Sequence, residues 1–226
     1  SPGDVFPSVT KSAGAALIWL HGFGDQPEGW ESEFQVLRAA QPHVKWVHLR
    51  APQLPQTCFG GTAVPSWGDF IDEGCTHVNS GDYNNEAIVS NATLAGVHGI
   101  LGTLIQTDRV PPTRVVLGGF SMGAAVAAEA ALRYLQDSKH SRVKLGGLIM
   151  LNGWLTPAAR RAIDEGAATN LHVLVSHSVA DEQVGYDCGE ATCSLMRQGG
   201  ADVAFESHEA LKHVASGFGP GKEAAT

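Results

Sequence analysis

Three observations place this 226-residue chain in the α/β class, with a mostly parallel, doubly wound sheet. Short apolar runs alternate with longer stretches of helical period, and strands separated by helical crossovers lie parallel. One run, Val115–Leu117, meets a glycine-rich turn and then an alanine-rich helix. No repeat, low-complexity tract or linker divides the chain, so residues 1–226 are expected to form a single domain.

The expected strands are Ala15–Leu20, Lys45–Leu49, Arg114–Leu117, Gly146–Leu151, His172–Ser176 and Asp202–Glu206. Helices are expected over Glu28–Ala40, Asn85–Gln106, Met122–Asp137, Thr156–Glu165 and Gly185–Gln198. Pro157 falls in the first turn of its helix, where its missing N–H costs nothing. Residues 51–84 break the rhythm with Pro52, Pro55, Pro65, several glycines and no clear period. A long irregular segment of this kind reads as a cover or binding loop.

A net charge of −8 leaves no basic surplus for a nucleic-acid or anionic-membrane partner. The four cysteines, Cys58, Cys75, Cys188 and Cys193, read as free thiols of a cytoplasmic protein, with a Cys58–Cys75 bridge the one alternative. The start, Ser1-Pro2-Gly3-Asp4, lacks the basic and apolar regions of a signal peptide. The apolar stretch Val115–Leu132 approaches membrane-spanning length, but Gly118, Gly119, Ser121 and Glu129 interrupt it, so no transmembrane segment is expected. Cys188 and Cys193 with His172 or His177 do not match a zinc spacing, and Gly219-Pro220-Gly221-Lys222 lacks the spacing of a phosphate loop. Neither a metal nor a cofactor is expected.

Gly119-Phe120-Ser121-Met122-Gly123 fits G-x-S-x-G between a buried strand and a helix. Such a turn exposes the serine hydroxyl and aims the first N–H groups of the helix at a developing negative charge. The plainer alternative is a tight turn with an ordinary serine. A nucleophilic serine also needs a base, an acid that orients it and two oxyanion donors. Asp181 and Glu182 follow the fifth expected strand; His208 and His213 follow the sixth. Order and strand context favour Ser121, Asp181 and His213, because His208 lies too near the strand end to swing over the sheet edge. The first strand closes on His21-Gly22-Phe23-Gly24-Asp25, so the N–H groups of Phe23 and Met122 are the expected oxyanion donors, with His21 and Asp25 shaping the turn.

These blocks, with Pro65-Ser66-Trp67-Gly68-Asp69, resemble the acyl-protein thioesterases of the phospholipase/carboxylesterase group of α/β-hydrolases, from about Val9 to Ser216. The resemblance implies an α/β-hydrolase fold, no cofactor, and hydrolysis of long-chain acyl thioesters on protein cysteines, with activity on lysolipids and small esters. It implies Ser121 as nucleophile, His213 as base, Asp181 as its acid, and an acyl groove lined by the irregular segment around Leu54 to Trp67, with Leu54 and Trp67 among the residues facing the substrate. Such a groove favours acyl chains of about eight carbons or more, each buried CH₂ contributing about 0.8 kcal/mol. An exposed groove rim could support a weak homodimer. The chain departs from the pattern at Met122, usually glutamine, which predicts a less polar pocket edge. It departs also at Ser178, usually glycine, at Gly185, often proline, and in the Gly/Pro-rich end 217–221. These changes bear on substrate choice, and the competing readings are a short-chain carboxylesterase or lysophospholipase and a non-catalytic lipid-binding module.

Overall fold

Strand β2 (Ala15–Leu20) sets the layering of the molecule: Ala16, Ile18 and Leu20 face one core, Leu17 and Trp19 the other. Both faces are covered, which is why the strand reads as an unbroken apolar run rather than an alternation. The computed structural model describes residues 4–6 (backbone), 13–72, 74–137, 143–209 and 212–213. The Gly/Pro-rich stretch 217–221 lies outside them.

Six parallel strands are β2, β3 (Val44–Leu49), β6 (Val115–Phe120), β7 (Gly147–Leu151), β8 (His172–Ser178) and β9 (Asp202–His208). A short strand β1 (Asp4–Phe6), absent from the sequence reading, adds antiparallel to β3 and gives the order β1-β3-β2-β6-β7-β8-β9. Helices α2 (Asn91–Gly102), α3 (Met122–Gln136), α4 (Pro157–Asp164) and α5 (Tyr186–Gln198) all contribute to one core. Helix α1 (Glu31–Ala40) contributes Phe34 to the opposite core, an aromatic cluster with Trp19, Trp30 and Trp46. Among the described residues no helix is long and apolar enough to cross a membrane.

Local chemistry explains where the elements begin and end. β6 continues through Gly118 and Gly119, past the expected end at Leu117, because β2 and β7 pair with it on both sides. A side chain at Gly118 would stand 2.8 Å from the Trp19 ring, so the glycine makes room for the indole rather than breaking the strand. The helix expected from Asn85 starts only after Ser90, whose hydroxyl accepts the Thr93 N–H at 3.1 Å. Asn85 instead serves the preceding loop, donating to Asp69 O at 2.7 Å and accepting from Ala87 N at 2.8 Å. The segment 51–84 holds a hairpin, β4 (Gln53–Pro55) with β5 (Ala63–Pro65), whose strands are too short and proline-bearing to register as a pattern.

Helix α3 sits on the sheet at backbone distance. A Cβ at Gly123 would lie 2.2 Å from Leu20 O and 2.4 Å from His21 O, both backbone atoms that cannot rotate away. Gly123→Ala is therefore expected to cost about 2–3 kcal/mol of stability, read as a lower urea midpoint. An unchanged midpoint would mean that α3 and β2 do not pack this closely.

Candidate active site

Ser121 joins β6 to α3 with φ 55° and ψ −124°, a conformation that a residue with a side chain adopts only when its surroundings impose it. Its N–H donates to Leu151 O at 2.8 Å, and its carbonyl accepts from Ala124 N at 3.0 Å. Gly119 and Gly123 close the turn on itself: a Cβ at Gly119 would be 2.3 Å from the Gly123 carbonyl carbon. Met122 opens α3, so its N–H has no acceptor within the helix.

The loop after β2 runs beside this turn. A Cβ at Gly22 would stand 3.1 Å from the Phe120 ring and 3.6 Å from Ser121 Cβ. His21 braces the loop from beneath. The Ala51 N–H donates to His21 Nε2 at 3.1 Å, which leaves Nδ1–H to donate to Gly22 O at 2.8 Å. Burial holds this imidazole below its ordinary pKa, in keeping with the neutral ring that the bonding requires. Asp25 accepts from Gln26 N at 2.7 Å and from the Trp30 indole at 2.9 Å, so it shapes the turn.

His213 lies between the other two residues. Its Nε2 is 2.9 Å from Ser121 Oγ and its Nδ1 is 2.6 Å from Asp181 Oδ2. Asp181 has no solvent-accessible side-chain surface, and its second oxygen accepts the N–H groups of Gln183 at 2.9 Å and Val184 at 2.8 Å. One carboxylate oxygen thus fixes the loop while the other fixes the imidazole. His208 is placed elsewhere, with its Nε2 2.8 Å from Ser176 Oγ between β8 and β9. His177 ties down the far end of the acid loop through Nε2–H to Val184 O at 2.9 Å, and burial lowers its pKa.

A cavity of about 420 Å³ opens at Ser121 and is lined by Phe23, Cys58, Phe59, Phe70, Cys75 and Val184 among others. The expected Leu54–Trp67 segment contributes Cys58 and Phe59 to this lining, but its two named residues lie elsewhere. Trp67 is only 3% exposed; its indole donates to His21 O at 2.8 Å and its ring packs 5.0 Å from the His21 ring, so it supports the Phe23 loop from inside. Leu54 faces a separate depression with Pro55, Gly68, Asp69 and Glu86. The less polar pocket edge expected from Met122 does not arise either: its side chain is wholly buried, with the Ser66 hydroxyl 3.4 Å from its sulfur.

Phe59, inside the expected Leu54–Trp67 lining, and Phe70, just beyond it, face the cavity, and neither is singled out by the sequence reading. Their only signal in the sequence is aromatic character where the chain has no period. Side-chain hydrogen bonds place them. Buried Gln56 donates to Leu54 O and Gly68 O, both at 3.1 Å, and accepts from Phe70 N at 2.9 Å. Asp69 accepts from Thr57 N and Thr57 Oγ1, both at 2.7 Å.

The four cysteines are thiols, and the Cys58–Cys75 bridge is not formed. Burial pushes the Cys75 thiol far above its usual range and Cys188 up to about 12, so neither is a thiolate near neutral pH. Among the described residues no group of three His, Cys, Asp or Glu side chains converges where a metal ion could sit.

Comparison with known proteins shows the family. The phospholipase/carboxylesterase family model matches residues 5–217. Acyl-protein thioesterase 1 of Yarrowia lipolytica is 33% identical over 196 residues, covering 82% of this chain and 79% of that protein. Its namesake in Candida albicans is 28% identical over 224 residues, covering 93% and 89%. The crystal structure of Arabidopsis thaliana SOBER1 superposes with a TM-score of 0.76 at 27% identity, covering 89% of this chain and 91% of that one. Acyl-protein thioesterase 2 of Zea mays gives 0.67 at 25% identity, covering 94% and 92%.

His21 and His177 carry a stability consequence. Both have folded pKa values below that of the unfolded chain, so the unfolded chain takes up protons first. Their contribution is complete above about pH 6.5 and declines as the pH falls below it, by at most about 1.4 kcal/mol per pH unit for each ring. Urea midpoints measured at falling pH between neutrality and mild acid should therefore drop. A constant midpoint would mean that both rings take up a proton inside the fold without cost.

Proposed function

The chain belongs to the phospholipase/carboxylesterase family, and from that premise we propose that it removes long acyl groups from protein thioesters by way of Ser121, His213 and Asp181. It is a serine hydrolase of the thioesterase/carboxylesterase kind. The observation that carries the finer reading is the chain of contacts from Asp181 through His213 to Ser121, at 2.6 and 2.9 Å, ending on a serine with constrained backbone.

His213 Nε2 takes the Ser121 proton as Oγ attacks the acyl carbonyl, and Asp181 steadies the imidazolium that forms. The N–H groups of Phe23 and Met122 hold the oxyanion of the tetrahedral intermediate. Collapse expels the thiolate or alkoxide, which receives the proton from His213 and leaves Ser121 acylated. Water, deprotonated by His213, then attacks the acyl-enzyme and frees the acid by the same steps. The acyl chain lies in the cavity between Phe23, Phe59 and Phe70, and residues 51–84 form its cover. Support for a protein thioester as substrate comes from the relatives named acyl-protein thioesterases; small acyl esters and lysolipids present the same carbonyl and are expected to turn over as well.

A fluorescent fluorophosphonate should label the wild type and fail to label Ser121→Ala, and turnover should fall by roughly 10⁴-fold or more in Ser121→Ala and His213→Ala. Labelling or turnover that survives Ser121→Ala would sink the mechanism. A series of 4-nitrophenyl esters tests the cavity: kcat/KM should climb with chain length beyond about eight carbons. Phe59→Ala should lower the dodecanoate value about tenfold, the scale of a lost apolar contact, with acetate within about twofold. A flat or falling series would make the protein a short-chain carboxylesterase.

A further inference from the structure

β7 ends beside the serine, and the residue that follows it, Asn152, is held in an unusual way. It is fully buried, and its φ of +46° lies in the left-handed region that asparagine tolerates better than other residues bearing a side chain. The Leu151 carbonyl accepts the Ser121 N–H at 2.8 Å, while the next N–H, that of Asn152, donates to Ser176 O in β8 at 2.9 Å. The Asn152 side chain then reaches one step further along β8. Its Oδ1 accepts the Ser178 N–H at 2.9 Å and its Nδ2 donates to Ser178 Oγ at 3.3 Å. Ser178 O in turn accepts the Asp181 N–H at 3.3 Å, closing the turn that carries the carboxylate.

Ser121 and Asp181 belong to strands that do not touch: β6 and β8 are separated by β7. Each step across a sheet is about 4.8 Å, yet the imidazole between serine and aspartate tolerates errors of only a few tenths of an ångström. The end of β7 is therefore where the two halves of the site must be put in register. We propose that Asn152 is a positioning residue that couples the Ser121 turn to the Asp181 loop and so holds His213 aligned between them. The proposal rests on the Ser121–His213–Asp181 reading above. Ser178 supplies the second half of the clasp through its N–H and its hydroxyl.

Asn152→Gly tests this, since glycine keeps the left-handed backbone and removes only the side chain. With 4-nitrophenyl acetate, kcat should fall roughly tenfold, the scale of a modest misalignment, while KM stays within about twofold. The acidic limb of kcat/KM should also move to lower pH, because a loosened Asp181 stabilises the His213 imidazolium less. Among the described residues Asp181 Oδ2, 2.6 Å from Nδ1, is the charged group in contact with that ring, so the limb reports the Asp181 contact. A lower melting temperature with kcat and the limb unchanged would show a purely structural residue and overturn the proposal. Should Asn152→Gly fail to fold, Ser178→Ala removes only the hydroxyl partner and must shift the limb in the same direction; an unmoved limb there overturns it too. Failure of the underlying reading looks different: wild-type fluorophosphonate labelling that persists in Ser121→Ala.

Discussion

Everything at the site depends on how closely α3 can approach the end of β2. Gly123 meets the Leu20 and His21 carbonyls at distances that leave no room for a side chain, and Gly153 is pressed as tightly against the Ala124 methyl. The same demand explains the composition of α3, where Ala124, Ala125, Ala127, Ala128, Ala130 and Ala131 are all fully buried. Small residues let the helix lie low across β2, β6 and β7, and dispersion contacts rather than side-chain bulk hold it there. Raise the helix by the thickness of a methyl group, and the Phe23 loop parts from Ser121. The site is thus set by backbone packing before any catalytic side chain enters.

Polar groups inside this packed frame are used sparingly, and nearly always against backbone. His21 is spent between Ala51 N and Gly22 O, Gln56 on three backbone groups, and one oxygen of Asp181 on two N–H groups. Each bond fixes a rotamer and, for the histidine, a tautomer, so the polar interior specifies orientation more than it adds net stability. Asp181 shows the consequence. With one oxygen committed to its own loop, the carboxylate cannot rotate away from His213 without breaking two hydrogen bonds.

The parts of the molecule legible in the sequence are those that repeat or sit at the end of something that repeats. Strand periods locate the ends of β6, β8 and β9 to within a few residues, and Ser121, Asp181 and His213 are read from those ends. The structure brings these three side chains together. Trp67 and Leu54 are a different case. Whether a residue of the irregular segment faces the cavity depends on which way a hairpin of two three-residue strands turns, and that is decided by Gln56 and Asp69 reaching residues twelve or fourteen positions away. Such contacts leave no period to detect. Asn85 misled for a related reason: its helical surroundings suggested a helix start, but its side chain found better partners in the loop.

This division has a consequence for how specificity can change. The serine, histidine and aspartate are carried by sheet ends whose spacing is fixed by ladder hydrogen bonds and by the glycine contacts of α3. The cavity wall is carried by the hairpin and the strip Gly68–Phe70, joined to each other by side-chain bonds and by the Cys58 N–H to Phe70 O contact at 2.9 Å. Phe59, at the hairpin tip, is still 45% exposed and packs on Phe23 at 5.9 Å between ring centres. Substitutions there reshape the cavity beside Ser121 without moving the sheet, while any enlargement at Gly119 or Gly123 displaces both. The hairpin is consequently where the cavity can change at little structural cost, and the α3 contact is where almost no change is tolerated.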